Sequence, residues 1–212
     1  MLKINEIFHS IQGEGSRAGD PCVFIRLTGC NLRCTYCDTA YAFEEGELIS
    51  IEGIIERVRE FGCNLVEVTG GEPLMQDESV ELMNRLNEEG FNVMLETGGS
   101  LPVDKVNPAV KIILDMKCPS SGMAKKNLYA NLEKLQSDDE VKFVIGNRED
   151  FEWSVELINR YQISGKLTIL FSPVFNELAP SELAEWILKE RIKVRMQIQM
   201  HKYIWDPNKR GV

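Results

Sequence analysis

Short apolar segments alternate with amphipathic segments along most of this sequence, and no other feature restricts the possible folds as strongly. Apolar runs of strand length occupy residues 23–27, 65–68, 92–96, 111–115, 141–145, 167–171 and 194–198. Apolar residues recur at helical spacing in residues 52–62, 78–89, 149–161 and 181–190. Strands that alternate with helices form mainly parallel sheets with crossover helices on their faces. The sequence therefore predicts an α/β fold.

The chain length limits how far such a sheet can close. A complete eight-unit barrel takes about 250 residues, whereas this chain has 212 residues. We expect an incomplete TIM-like barrel of about six mainly parallel strands, with few and short outer helices. No repeat, low-complexity tract or Pro/Ser-rich linker divides the sequence, so we expect residues 1–212 to form a single domain.

The charge balance argues against two classes of partner. The chain has 24 basic and 33 acidic residues and a net charge of −9. Nucleic-acid and membrane-surface binding both need clustered positive charge, so we expect neither partner. No apolar run approaches the roughly 18–20 residues that cross a bilayer, and the N-terminus lacks the features of a signal peptide. We expect a cytoplasmic protein whose six cysteines are reduced thiols.

Three of these cysteines lie close together on one predicted loop. Cys30, Cys34 and Cys37 follow the strand at 23–27 with the spacing CxxxCxxC. Structural zinc usually has four Cys or His ligands, and a saturated [4Fe–4S] cluster has four cysteines. Three thiolates would instead leave one iron of a cluster open to a ligand that reacts. The alternatives are a zinc site completed by a distant residue, or three unligated core cysteines.

Polar and glycine-rich segments follow several predicted strands. Cys30, Thr69–Glu72, Glu96–Gly99 and Asp115–Lys117 each come after the carboxyl end of a strand. In parallel α/β folds ligands bind at that edge of the sheet. We therefore expect these four segments to converge on one site.

The cysteine spacing resembles the signature of radical S-adenosylmethionine (SAM) enzymes. The resemblance implies a [4Fe–4S] cluster on Cys30, Cys34 and Cys37, with SAM bound to the open iron. It also implies that one electron from the cluster cleaves SAM to a 5′-deoxyadenosyl radical, which takes a hydrogen atom from the substrate. In such enzymes the cofactors carry the chemistry, and the protein supplies binding and orientation.

Further segments resemble the 7-carboxy-7-deazaguanine synthase family of queuosine biosynthesis. They are residues 7–15 (IFHSIQGEG), Cys37-Asp38-Thr39 and residues 199–203 (QMHKY). The resemblance implies a lyase that converts 6-carboxy-5,6,7,8-tetrahydropterin into 7-carboxy-7-deazaguanine with release of ammonia, using SAM and Mg²⁺. The alternatives are a radical SAM activating enzyme that makes a glycyl radical on a partner protein, an iron–sulfur electron carrier, and a zinc-stabilised binding module.

The resemblance also implies a role for each site residue. SAM would contact Tyr36, Cys37, Asp38, Gly71, Glu72, Asp115, Met116 and Lys117. The pterin substrate would contact Ile11, Gln12, Gly13, Glu14, Arg26, Thr69 and His201. Thr39 would bind Mg²⁺ through its hydroxyl, a hard oxygen ligand. The implied partners are a flavodoxin- or ferredoxin-type electron donor and a second copy of the chain in a homodimer.

Arg26 is unusual because it interrupts an apolar strand, where an unpaired arginine is rare. A bidentate contact with the substrate carboxylate would supply a partner. An internal ion pair with one of the many acidic residues is the alternative. His201, similarly, fits either a substrate contact or a hydrogen-bonded core histidine.

Two features depart from the family pattern. Many members have Ser-Pro-Lys where this chain has Asp115-Met116-Lys117, so the first two SAM contacts are in question. Some members also end soon after the His-Lys-Tyr motif, with the terminal carboxylate in the pocket. This chain continues through residues 205–212, which leaves open whether the Val212 carboxylate or the 205–212 tail enters the site.

Overall fold

A computed structural model describes all residues, 1–212, as nine strands and five α-helices. The strands are β1 (Leu2–Ile11), β2 (Pro21–Leu27), β3 (Glu47–Ile49), β4 (Leu65–Gly70), β5 (Asn92–Thr97), β6 (Lys111–Met116), β7 (Glu140–Ile145), β8 (Thr168–Pro173) and β9 (Arg195–Met196). The helices are α1 (Ile51–Glu60), α2 (Glu78–Glu88), α3 (Arg148–Tyr161), α4 (Pro180–Glu190) and α5 (His201–Ile204).

All nine strands belong to one sheet with the order β3-β1-β2-β4-β5-β6-β7-β8-β9. The strands from β2 through β4 to β9 pair in parallel, whereas β1 and β3 extend the sheet through antiparallel pairs. The first and last strands are not paired with each other, so the barrel is open. The α/β fold and the incomplete barrel are confirmed.

The structure contains more strands than the apolar runs indicated. Strand β1 carries Lys3, Asn5 and Glu6 among its apolar residues, and β3 has only 3 residues, so neither forms a continuous apolar run. The predicted strand at 194–198 is shorter than expected, because only Arg195–Met196 pair with β8.

The outer helices cover only part of the sheet. Helices α1 to α4 lie in the crossovers near the predicted boundaries, whereas the β5–β6 and β6–β7 connections contain only turns and short 3₁₀ segments. Side chains cap two helices: the Ser50 hydroxyl accepts from Gly53 N–H at 3.1 Å, and the Asn147 amide oxygen accepts from Asp150 N–H at 3.0 Å. No helix has the length and hydropathy that a membrane-spanning helix requires.

The two faces of the sheet have different chemistry, because neighbouring residues of a strand point to opposite sides. On β4, Val66 and Val68 join the main core beneath the helices. Glu67 and Thr69, which alternate with these valines along the strand, point to the concave face and line a cavity. A small apolar layer of Cys22, Phe24, Leu65, Met94 and Ile113 closes the base of that face. The concave face is therefore apolar at its base and polar above.

Candidate active site

A cavity of about 600 Å³ opens at the carboxyl edge of the parallel strands. The residues that line it include most of the predicted site: Ile11, Gln12, Gly13, Glu14, Arg26, Cys30, Cys34, Tyr36, Cys37, Asp38, Thr39, Thr69, Gly71, Asp115, Lys117 and His201. The structure thus brings together segments that are far apart in sequence. Glu72 and Met116 are the predicted residues that do not line the cavity.

The three predicted cluster ligands are free, partly buried thiols on the cavity wall. Burial raises the pKa of the Cys34 thiol, and the nearby Lys117 ammonium acts in the opposite direction. No three His, Cys, Asp or Glu side chains converge on a point where one metal ion would sit. A cubane cluster does not require such convergence, because each thiolate binds a different iron. Three thiols facing one cavity therefore fit a cluster with one open iron.

Close backbone packing holds the cysteine loop in place. Glu72 N–H donates to Gly29 O at 2.8 Å, which ties the loop to the end of β4. A Cβ atom at Gly71 would lie 2.1 Å from Gly29 O and 2.7 Å from Cys30 Cβ. Only glycine fits there, so Gly71 permits the loop to lie directly on the strand end.

Glu72 was expected to bind SAM, but its carboxylate is fully buried and bonded within the protein. It accepts hydrogen bonds from Thr97 Oγ1 at 2.9 Å, Gly98 N–H at 2.8 Å and Leu74 N–H at 3.1 Å. Burial raises the pKa of this carboxyl, and these hydrogen bonds oppose the rise. Glu72 therefore positions the turn after β5.

The Met116 side chain, also expected near SAM, does not face the cavity. Met116 is 0% exposed and belongs to the outer core, because it follows Asp115 on β6 and points to the opposite face. Asp115 does line the cavity, where its Oδ2 atom pairs with Lys117 at 3.1 Å. Its Oδ1 atom is buried and has no hydrogen-bond partner in the protein.

Lys142 lies at the centre of a charged network that sequence analysis missed. Its side chain is 5% exposed and its ammonium pairs with Glu14 at 3.1 Å, Asp115 at 3.3 Å and Glu96. Burial alone would lower the pKa of Lys142, but the three carboxylates raise it well above its ordinary value. The same contact has the reciprocal effect on Glu14, whose pKa falls below its ordinary value although burial opposes the change.

Gln12 and Glu67 form a buried pair at the back of the cavity. The Gln12 side-chain amide donates to Glu67 and accepts from Glu14 N–H at 3.0 Å. Glu67 is 3% exposed. Burial, with a further contribution from Glu96, raises its pKa well above the ordinary value for a carboxyl. The Gln12 amide is therefore held in one orientation by a carboxyl that favours its protonated form.

Arg26 forms the internal ion pair that was the alternative prediction, and it also lines the cavity. Its Nε–H donates to Glu6 Oε1 at 2.7 Å, and the Tyr41 hydroxyl donates to the same oxygen at 2.9 Å. No hydrogen bond to the protein uses the two terminal nitrogens of Arg26. Those nitrogens remain able to bind a carboxylate in bidentate fashion.

His201 closes the cavity on the side of the C-terminal segment. A Cβ atom at Gly13 would lie 2.3 Å from His201 Nδ1, so the glycine allows the imidazole to pack against the loop after β1. Burial lowers the pKa of His201, although Glu14 and Asp38 oppose this effect. Lys202 pairs with Asp38 at 2.6 Å and anchors the cysteine loop to α5.

Several cavity residues were missed by the sequence analysis. Glu67 and Lys142 interrupt apolar strands just as Arg26 does, so the same signal identifies them. Residues 174–177, which the sequence did not single out, also line the cavity, and so do residues 207–212 of the tail, including Val212. These two loops have no apolar period or metal-ligand spacing that distinguishes them.

Comparisons with known proteins agree with this geometry. Residues 24–188 match the model of the radical SAM superfamily. The 7-carboxy-7-deazaguanine synthase of Chlorobaculum tepidum is 49% identical, and the match covers 100% of this chain and 97% of that protein. The chain belongs to the 7-carboxy-7-deazaguanine synthase family. The enzyme of the same name from Koribacter versatilis is 41% identical over 100% of both chains.

Solved structures confirm the fold of this 7-carboxy-7-deazaguanine synthase family member. The crystal structure of QueE from Escherichia coli superposes with a TM-score of 0.78 at 26% identity, and the match covers 94% of each chain. Streptococcus suis SuiB is 12% identical with a TM-score of 0.61, which shows a shared fold alone. Membership makes the chain a radical SAM lyase of the deazaguanine branch, with the superfamily's [4Fe–4S] cluster and SAM as cofactors. The glycyl-radical alternative is not favoured.

Proposed function

We propose that the cavity binds 6-carboxy-5,6,7,8-tetrahydropterin beside SAM and converts it to 7-carboxy-7-deazaguanine with release of ammonia. The observation that carries this proposal is the shared cavity of the three thiols and the Arg26 guanidinium. The thiols fit a cluster, and the guanidinium fits a carboxylate. The two groups lie on the wall of one chamber of about 600 Å³, within the size range of small-molecule sites.

The residues around the thiols would hold the cofactors. Cys30, Cys34 and Cys37 would bind three irons, and the cluster with SAM would supply one-electron chemistry that abstracts hydrogen from the substrate. Asp115 lies on the same wall, and its carboxylate fits a hydroxyl or ammonium donor of SAM. Tyr36 offers an aromatic face there, and Lys117 supplies a positive charge 3.1 Å from Asp115.

The substrate would lie between β2 and the loop after β1. The terminal nitrogens of Arg26 would bind the carboxylate of the substrate. The positive guanidinium would then compensate this negative charge in a cavity that is rich in acidic side chains. Gln12, Gly13 and Glu14 present amide, backbone and carboxylate groups that complement the amide and amine edge of a pterin, with Ile11 and Thr69 beside them. Lys142 holds Glu14 in place at 3.1 Å, so this edge is fixed before the substrate arrives.

Thr39 is the proposed protein ligand of Mg²⁺. It lies on the cavity wall, and its hydroxyl is 3.8 Å from Cys37 Sγ. Mg²⁺ typically keeps several water or substrate oxygens and few protein ligands. Replacing Thr39 by Val removes the oxygen and keeps the shape, so we expect several-fold more Mg²⁺ to be needed for half-maximal rate. A Thr35→Val control on the same loop should leave the magnesium titration unchanged, and an unchanged Thr39→Val titration contradicts the assignment.

The proposal includes the partners that the sequence resemblance implied. A flavodoxin- or ferredoxin-type protein would supply the electron, and two copies of the chain would form a homodimer. One sheet runs from residue 2 to residue 196, and we propose that residues 1–212 act as a single domain.

The direct test is anaerobic turnover by reconstituted protein. The protein is incubated with SAM, a chemical reductant, Mg²⁺ and 6-carboxy-5,6,7,8-tetrahydropterin, and the products are measured by mass spectrometry. We expect 7-carboxy-7-deazaguanine and one equivalent of ammonia. Cleavage of SAM without any deazaguanine product would show that the substrate is a different molecule.

A further inference from the structure

The side chain that faces Arg26 is set by an irregularity in strand β1. Ile4 pairs with Leu27 and Glu6 pairs with Arg26, so one extra residue of β1, Asn5, is inserted between the two pairs. Without this bulge Asn5 would stand opposite Arg26, because opposed residues advance one by one along an antiparallel ladder. Opposed residues share a face, and a bulge changes which side chain reaches that face. The bulge thus places a carboxylate, and not an amide, beside Arg26.

The Glu6 carboxylate contacts only one end of the guanidinium. Its Oε1 atom accepts from Arg26 Nε at 2.7 Å and from the Tyr41 hydroxyl at 2.9 Å. The Arg26 and Glu6 side chains are 15% and 18% exposed, so both are largely removed from solvent. The Arg26 guanidinium also lies 5.8 Å from the centre of the Phe8 ring. These contacts restrict the arginine and leave both terminal nitrogens without a protein partner.

The C-terminal tail supports the same arrangement. The guanidinium of Arg210 lies 3.8 Å from the centre of the Tyr41 ring, and its Nη1 atom pairs with Glu45 at 3.0 Å. The Glu45 carbonyl in turn accepts from the bulged Asn5 at 2.9 Å. The bulge, the tyrosine and the tail therefore form one connected set of contacts behind Arg26.

We propose that Glu6 is a positioning residue, which fixes Arg26 through Nε so that its terminal nitrogens receive the substrate carboxylate. This inference rests on the proposed function, in which Arg26 binds that carboxylate. A neighbouring carboxylate weakens the Coulomb attraction of Arg26 for an anion, so the benefit of Glu6 lies in geometry. An arginine held in its binding orientation loses less conformational entropy when the ligand arrives.

Two substitutions of Glu6 separate geometry from charge. Glu6→Asp keeps the charge and withdraws the carboxylate by one methylene, beyond hydrogen-bond distance of Nε. Glu6→Gln keeps an acceptor at the same reach and removes the charge. The affinity of the anaerobic holoenzyme is measured by competition for 6-carboxy-5,6,7,8-tetrahydropterin and for tetrahydropterin without the carboxyl group.

We expect Glu6→Asp to weaken binding of the carboxylated pterin about tenfold, which equals about 1.4 kcal/mol. Glu6→Gln should remain within about threefold of the parent protein. Neither variant should change the affinity for unsubstituted tetrahydropterin or for SAM. Tyr41→Phe removes one of the two hydrogen bonds to Glu6 and should show a smaller loss with the same selectivity. Glu47→Asp is the matched control, because Glu47 pairs with Arg57 on the exposed surface.

Each of the following results would overturn the inference. A larger loss of affinity for the carboxylated pterin in Glu6→Gln than in Glu6→Asp would show that the charge of Glu6 matters and its geometry does not. An equal loss of affinity for both pterins in Glu6→Asp would indicate that Glu6 has a purely structural role. A further loss from Glu6→Asp in an Arg26→Met background would show that Glu6 does not act through Arg26. If the parent protein does not prefer the carboxylated pterin, the proposed function fails as well, whereas a preference that survives Glu6→Asp contradicts the inference alone.

Discussion

The two faces of the central sheet are built by the same strands but differ in the polarity and charge of their side chains. The outer face belongs to a continuous core of 36 buried residues beneath the helices. The concave face carries Arg26, Glu67, Glu96, Asp115 and Lys142 above an apolar layer of only five buried residues. On β6 the contrast occurs within one dipeptide, since Asp115 lines the cavity and Met116 lies in the core.

This difference shows how stability and function are divided in the fold. Full burial of a large apolar side chain contributes about 1.5–3 kcal/mol, so the outer face supplies most of the stabilisation. Buried charges cost free energy unless they are paired, and the Lys142 network satisfies that condition with three carboxylates. The concave face is therefore arranged for binding, and substitutions on the two faces should have separable effects.

The largest effect on the concave face is expected from Cys34→Ala. With two thiolates the cluster loses one of its three protein ligands, so we expect loss of the iron–sulfur absorbance and of all turnover. The thermal unfolding of the metal-free protein should change little, because Cys34 is only partly buried. Iron and sulfide analysis with visible absorption measures the first effect. Cys63→Ala is the control, since Cys63 is partly buried outside the cavity. A full cluster and normal activity in Cys34→Ala would refute the ligand assignment.

Arg26→Met tests the concave face at the substrate. The thioether side chain fills part of the same space but cannot bind a carboxylate, and loss of a charge-assisted bidentate contact costs about 1.5–3 kcal/mol. We expect KM for the carboxylated pterin to rise at least tenfold, while SAM cleavage by the reduced protein persists. Arg57→Met, at an exposed ion pair, is the control. Unchanged affinity for the substrate would show that Arg26 serves only to pair with Glu6.

The sequence predicted the outer face and the strand ends better than the concave network. Apolar periodicity indicated the main elements, because core residues such as Ile54 and Leu86 recur at the helical period. It did not indicate β1 as a strand, since the bulge at Asn5 breaks the alternation. Partners such as Lys142 and Glu14 are separated by 128 residues, and no local pattern can pair them. The resemblance named Glu72 and Met116 as neighbours of SAM, whereas strand alternation and hydrogen bonding turn both away from the cavity.

Ile54→Ala tests the outer face. Ile54 is 0% exposed on α1, and removal of a buried isoleucine typically costs 2–5 kcal/mol. We expect the free energy of unfolding in urea to fall by about that amount. The affinity of the folded protein for SAM and the pterin should not change, because α1 contributes no residue to the cavity. Glu52→Ala on the exposed side of α1 is the control. A selective loss of ligand affinity in Ile54→Ala would contradict the division between the faces.

Glu67→Gln should have the smallest effect, and its sign is opposite to that of Ile54→Ala. Burial and Glu96 raise the pKa of Glu67 in the folded protein well above its value of about 4.5 in the unfolded chain. As the pH rises through 4.5 the unfolded chain releases this proton while the folded protein retains it, so Glu67 lowers stability above that pH. Glutamine cannot ionise and still accepts from Gln12, so the variant should be more stable than the parent at neutral pH.

The pH dependence distinguishes this cause from a general improvement in packing. We expect the stability difference between Glu67→Gln and the parent to be larger at about pH 8 than at about pH 5, as measured by urea unfolding of the metal-free protein. Glu56→Gln, on the exposed surface of α1, is the matched control. A difference that stays constant with pH would mean that Glu67 is as readily ionised in the folded protein as in the unfolded chain. Burial of Glu67 on the concave face would then have no electrostatic cost in stability. The two faces of the sheet would differ at this position only in the shape of their packing.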